Sequence, residues 1–336
     1  MNNKFNIEEL KKYSEKIGNN LDWIQGAGGN TSVKDEETIW VKASGCWLSN
    51  SNSNDIFIPV ELSEINQSIT NNNLSEITNN NLHQLRPSIE TSLHALMPHK
   101  YVFHTHSVGI ISIAVLQYGK EYLEKIFKDI NWVWVPYEMP GINLAKKIQK
   151  VLSAKADVIV LANHGIVVGA EKAKNAYKLL NDIELLINRS LRNTTKADSD
   201  ELTGLIEKTN YRICKYSIVN SLANDELSLE IMQTGTLYPD HVVFLGPGPM
   251  KILTIEELGL FLGNLEYVSK NPVIVVRDLG IIVDKTISQN AEAMLYCLAG
   301  VLLRLNKNEK LCYLSQENEA DLLGLDSEQY RKSIQK

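Results

Sequence analysis

The feature that most constrains the fold is an alternation that begins at Pro87. Helical and strand signals take turns from there: a helix over Ser88–Met97, a strand in "YVFHTH", a helix over Val108–Tyr118, a strand in "NWVWV", a helix over Asn143–Leu152, a strand in "DVIVLAN" and a long helix over Glu171–Leu191. Short β-branched and aromatic runs separated by amphipathic stretches define an α/β domain, expected to end near Arg192. Upstream, Asn6 as N-cap, Glu9 three residues on and apolar Ile7, Leu10 and Ile17 on one face predict a first helix that Gly18 can end. Strands are predicted near Thr38–Ala43 and Asp55–Val60.

The stretch at 66–82, "NQSITNNNLSEITNNNL", repeats ITNNNL and has little to bury, so it is expected to be a surface excursion. After the polar run "RNTTKADSDE" come helical segments, "HVVFLGPGP", a helix near Thr254–Lys270, two β-rich runs (Pro272–Arg277 and Gly280–Asp284) and a closing helix over Ser288–Leu305. The expected organisation is a domain over residues 1–195, followed over 196–336 by a helical connection and a smaller α/β appendage.

Charge and composition narrow the function. The 336 residues carry 34 Lys+Arg against 40 Asp+Glu, a formal charge of −6, so nucleic acid and anionic membrane surfaces are not expected partners. The N-terminus "MNNKFNIEELKKYSEKIG" lacks the apolar core of a signal peptide, and no apolar run approaches the roughly 20 residues of a membrane span. A soluble, cytoplasmic protein is expected. Cys46, Cys214, Cys297 and Cys312 are scattered without a C-x-x-C pair and are expected to be reduced.

The stretch "IQGAGGNTSVKDEETIWVKASG", Ile24 to Gly45, is rich in glycine but is not a dinucleotide fingerprint. Thr31 stands where the third glycine would be, and a strand rather than a helix follows. No Walker pattern is present. Its glycines, with Asn30, Thr31 and Ser32, can still present N–H groups and hydroxyls to an anion.

The histidines point to metal. His104 and His106 form H-x-H in a strand, where positions i and i+2 share a face and two imidazoles can meet one ion. His164 closes the strand "VIVLAN", and two neighbouring strands ending in histidine would bring three imidazoles to one sheet edge. The bland alternative is that each histidine caps its own strand. Glu90, near the start of the preceding helix, is the candidate fourth partner and base, although Glu90 and His94 at i and i+4 form a competing pair. His83, His94, His99 and His241 are expected to be structural or at the surface.

The motifs "GGNTS" at 28–32, "PSIE" at 87–90, "HTH" at 104–106, "PY" at 136–137 and "NHG" at 163–165 stand in the order and approximate spacing of the class II aldolase/adducin family. The chain resembles that family, which includes L-fuculose-1-phosphate aldolase, over about residues 8–195. The later "YPDHVVFLGPGP" and "NPVIVVRDLGIIV" resemble the end of the aldolase part of rhamnulose-1-phosphate aldolase/lactaldehyde dehydrogenase fusions. The chain stops where the dehydrogenase would begin, so no nicotinamide cofactor is expected.

The resemblance implies a three-layer α/β/α catalytic domain. It implies that His104, His106 and His164 bind a divalent metal, zinc first among them, and that Glu90 ligates the resting metal and then acts as general base. It further implies that Gly29, Asn30, Thr31, Ser44, Gly45 and Ser88 cradle the phosphate of a sugar-phosphate substrate. Tyr137 matches a tyrosine that reaches from a neighbouring subunit to act as the proton-transferring acid at the aldehyde oxygen, in a homo-oligomer that is usually a tetramer. One departure is visible: a second serine before the glutamate is replaced by Ile89. The implied activity is reversible cleavage of a ketose 1-phosphate to dihydroxyacetone phosphate and a short aldehyde by a zinc-dependent lyase. The alternatives are a decarboxylase or epimerase on the same fold, and a non-catalytic adducin-like interaction module.

Overall fold

The computed structural model describes residues 7–73, 85–153, 155–263 and 271–325. The chain forms two compact units, the second of which spans Arg189–Leu323. The first is built on a seven-stranded sheet of order β3-β2-β1-β4-β7-β6-β5. Its strands are β1 (Asn30–Lys34), β2 (Thr38–Lys42), β3 (Phe57–Glu61), β4 (Tyr101–Thr105), β5 (Trp132–Val135), β6 (Val158–Leu161) and β7 (Gly165–Ala170). Its helices are α1 (Ile7–Gly18), α2 (Leu62–Asn71), α3 (Thr91–Leu96), α4 (Val108–Ala114), α5 (Gly119–Ile126), α6 (Ile142–Val151) and α7 (Ala173–Ile187).

Period-two alternation makes the three layers. Val33, Tyr101, Phe103, Val158, Val160, Ile166 and Val168 face α1, α4, α5 and α7. The residues between them, Val102, Ile159, Leu161 and Val167, face α3 and α6. Ile39, Val41, Ile58 and Val60 extend that second layer over Ile65 and Ile69 of α2. The fold is therefore the expected α/β/α sandwich.

Two strands of this unit are absent from the sequence reading. β1, "NTSVK", is fully buried yet polar: Thr31 faces α1, where its hydroxyl meets Ser14 Oγ at 2.6 Å, while Asn30, Ser32 and Lys34 face α3. β7 lies between β4 and β6, antiparallel to both, so the two histidine-ending strands are not neighbours. The stretch read as a surface excursion begins as α2, with Ile65 and Ile69 buried at helical spacing; its second ITNNNL copy and His83 lie outside the described residues.

In the second unit a four-stranded sheet of order β8-β11-β10-β9 joins Tyr211–Ile213, Gly280–Asp284, Val273–Val276 and Ile252–Leu253. Ile274, Val276 and Ile282 pack with Leu202, Leu258 and Phe261 in its core. Arg189 and Arg192 belong here for a physical reason. Arg189 donates to Arg304 O and the Glu309 carboxylate, and Arg192 to Leu302 O, Leu305 O and Asp225. Arg212 grips the buried Glu292 carboxylate bidentately, at 2.7 and 2.9 Å. No helix among the described residues is long and apolar enough to cross a membrane.

Candidate metal centre

Strand directions decide what meets at the edge of the large sheet. β4 and β6 are both antiparallel to β7, and β5 runs parallel to β6, so the C-terminal ends of β4, β6 and β5 share one edge. β1 is antiparallel to β4 with Asn30 opposite His104, so its start lies at that edge too. His104 continues the face of Val102 toward α3, and Glu90 is the residue immediately before α3.

There Glu90, His104, His106 and His164 bring one ligand atom each within 4.8 Å of one another, all four residues buried. His106 Nε2 is 3.1 Å from His104 Nε2. Glu90 Oε1 lies 3.4 Å from His104 Nε2 and 3.2 Å from His164 Nε2. The Nδ1–H of His104 donates to Ile166 O at 2.9 Å, which fixes the tautomer and leaves the Nε2 lone pair pointing inward. Glu90 Oε1 is a buried oxygen with no hydrogen-bond donor of good geometry. Lone pairs and an anionic oxygen converging on one buried point form a donor set that could hold a divalent cation. Burial pushes the Glu90 carboxyl up, but the imidazoles of His104 and His164 outweigh it and hold its pKa well below the usual range.

Two glycines shape the site. Gly29 has φ +57°, and a Cβ there would lie 2.7 Å from His104 O. At the β6–β7 turn Asn163 takes the left-handed conformation at φ +55°, which asparagine tolerates, and so turns His164 inward. Gly165 follows and admits β7 against β4.

The competing Glu90/His94 pair is not formed. His94 is completely buried and accepts from Ser32 Oγ–H at Nδ1, at 2.7 Å, while its Nε2–H donates to Asn30 Oδ1. Burial, reinforced by nearby His104, pushes its pKa down to about 3. Asn30 Nδ2 donates to Glu90 Oε2 at 2.8 Å and to Ser88 Oγ at 3.0 Å. His99 pairs with Asp157 at 2.9 Å and His241 is buried in the second unit.

Of the other expected site residues, Ser44 and Gly45 form the turn after β2, joined to the segment before Glu90 by the Ala43–Pro87 bridge and by Ser44 N–H donating to Arg86 O. They and Ser88 therefore stand beside one another. The Thr31 hydroxyl is on the opposite face of β1. Tyr137 follows β5, the edge strand, with β6 and β7 between it and β4. The sequence reading passed over Lys42, whose buried ammonium donates to Ala27 O and Cys46 O at 2.8 Å and ties the glycine loop to the β2 turn. It also passed over Lys34, whose ammonium donates to His94 O, Ala95 O and Met97 O at the end of α3. Buried lysines in a strand look, in sequence, like solvated ones.

A three-layer sandwich with three histidines and a glutamate clustered at one sheet edge defines a class of α/β metal-site protein. The chain belongs to the family of the class II aldolase and adducin N-terminal domain, whose model matches residues 8–189. An uncharacterized oxidoreductase of Bacillus subtilis, YuxG, is 33% identical over 205 residues, 54% of this chain and 30% of that protein. The L-fuculose phosphate aldolase of Methanocaldococcus jannaschii is 28% identical over 164 residues, 46% of this chain and 79% of that protein. The chain thus spans under a third of its Bacillus relative. Among solved structures, the N-terminal class II aldolase domain of a conserved Thermoplasma acidophilum protein covers 56% of this chain and 94% of its own, at 28% identity and a TM-score of 0.49.

Proposed function

We propose that this chain is a divalent-metal-dependent aldolase, with zinc as the ion, that reversibly cleaves a ketose 1-phosphate to dihydroxyacetone phosphate and a short aldehyde. The observation that carries this reading is the convergence of His104, His106, His164 and Glu90 on one buried point. The similarity to an archaeal L-fuculose phosphate aldolase supports it.

His104, His106 and His164 would hold the ion, with Glu90 as fourth ligand at rest. A divalent cation there supplies Lewis-acid stabilisation of the negative charge left on the substrate's oxygens as the carbon–carbon bond breaks. Glu90, kept ionised by its surroundings, takes a proton from the carbon beside the ketone in the joining direction and returns it after cleavage. Tyr137, offered from a neighbouring copy in a homo-oligomer such as a tetramer, gives its phenolic proton to the aldehyde oxygen in the joining direction and recovers it in cleavage. Gly29, Ser44, Gly45 and Ser88 would form the phosphate cradle, and the first unit is the catalytic domain.

The test is purified protein incubated with a panel of ketose 1-phosphates and 3-oxo acid phosphates. Triose phosphate is the expected product; carbon dioxide in its place would make the chain a decarboxylase.

A further inference from the structure

The phosphate-cradle reading asks Asn30 to spend its side-chain amide on substrate. That amide is already engaged. Nδ2 donates to Glu90 Oε2 and to Ser88 Oγ, and Oδ1 accepts from His94 Nε2–H. An asparagine amide has two N–H donors, and both have acceptors inside the protein. His94 is in turn fixed by the Ser32 hydroxyl on Nδ1. Asn30, Ser32 and His94 are all nearly or completely buried, at 2%, 0% and 0% exposure. Asn30 and Ser32 are alternate residues of β1 and so share its α3 face.

We infer that Ser32, His94 and Asn30 form a hydrogen-bonded relay that positions the Glu90 carboxylate, and that the Asn30 side chain is a positioning group for the base. The relay rests on the reading of Glu90 as the base. Its logic is directional. The Ser32 hydroxyl selects the Nε2–H tautomer of His94; that N–H fixes which end of the Asn30 amide faces it; the amide's other end then presents N–H, not C=O, to Glu90 Oε2. One carboxylate oxygen is thereby held, and Oε1 is left turned toward His104 and His164. Nothing beyond hydrogen bonding is required, and no proton moves along the relay. Asn30 is also fixed from behind, because its predecessor Gly29 packs against His104 O, where a side chain would not fit.

The experiment compares Asn30→Ala, Asn30→Asp, His94→Gln, His94→Leu and Ser32→Ala in the full chain. The kinetic readout is solvent exchange of the dihydroxyacetone phosphate C–H proton in deuterated buffer. Losing a partner that orients a metal-site carboxylate costs about 10- to 100-fold in activity. Asn30→Ala and Asn30→Asp should therefore lower kcat on that scale while leaving KM within about twofold, since a positioning residue does not bind ground state and transition state alike. His94→Gln keeps a donor and an acceptor and should retain most of the rate that His94→Leu loses. Ser32→Ala should show a smaller fall of the same kind.

A rise in KM at unchanged kcat for Asn30→Ala would overturn the inference and restore Asn30 to the phosphate. The second readout needs no turnover: the imidazole nitrogen shifts of His94 by NMR. They should report a neutral Nε2–H tautomer whose proton exchanges slowly in the wild type and quickly in Asn30→Ala. An Nδ1–H tautomer, or a signal indifferent to Asn30→Ala, would refute the relay even in an active enzyme. Absence of any triose phosphate chemistry would remove the aldolase reading, and the NMR signal alone would then decide the relay.

Discussion

Gly165 lies so close to Thr105 that a β-carbon on it would stand 2.3 Å from the Thr105 carbonyl oxygen. This contact sets the spacing of β7 against β4 at the point where His104, His106 and His164 meet. Backbone cannot step aside as a flexible side chain can, so Gly165→Ala must push the two strands apart. The expected cost is about 1–3 kcal/mol of stability, the range of overpacking in a filled interior. Metal affinity should fall with it. Denaturant unfolding and metal analysis on one preparation check both; an alanine variant of wild-type stability and metal content would show that the strands are not held at this distance.

Purified protein should carry about one zinc or similar divalent ion per chain, as expected of a three-histidine site. His106→Ala and His164→Ala should each lose most of it. Stripping the ion from the wild type with a chelator should lower Tm, because an ion that binds only the folded chain stabilises it by mass action. Retention of the metal by both histidine variants would displace the site from these residues.

The base and the acid can be separated. Glu90→Gln keeps the size of the side chain but cannot take a proton, so both cleavage and solvent exchange of dihydroxyacetone phosphate should fall by about 10²–10⁴-fold. Tyr137→Phe removes only the hydroxyl that serves the aldehyde. It should slow cleavage and spare exchange, which needs no aldehyde. Equal loss of both reactions in Tyr137→Phe, with fold and assembly intact, would deny the tyrosine a separate role.

The second unit has its own acid sensitivity. Burial pushes the Glu292 carboxyl up, but the bidentate Arg212 guanidinium and the Lys215 N–H prevail and bring its pKa from 4.5 down to about 2. Because the folded value is the lower one, the pair's stabilisation is fully present above pH 4.5 and is lost as the pH falls toward 2. Glu292→Gln should therefore cost about 1.5–3 kcal/mol at neutral pH, the range for a hydrogen bond to a charged group. The difference from wild type should close between pH 4.5 and 2. A difference that stayed constant with pH would place the effect in packing.

Much of the first unit was legible because its strands are apolar and its helices amphipathic: β4, β5, β6 and α6 fall where their periodicity put them. What stayed hidden is polar and buried. β1 carries asparagine, threonine, serine and lysine where a strand is read from valine and isoleucine, and each finds its partner far along the chain. The histidines of the cluster were readable because H-x-H needs only the two-residue repeat of a strand, and His164 only a strand end. His94 was not, since the Ser32 and Asn30 that define its role lie 62 and 64 residues away. β7 escaped because the sharp turn at Asn163 reverses the chain with only three residues, Ala162 to His164, between two apolar runs.

The wide spacing of the cluster in the chain has a kinetic corollary. Glu90, His104 and His164 come from separate elements, and β7 must insert between β4 and β6 before the last imidazole arrives. No short peptide cut from this sequence would hold the four donors together, as a zinc-finger segment does. Ion capture would thus be an end-point of folding and not its nucleus, and the rate at which a refolding chain acquires metal would time the closure of the long-range sheet.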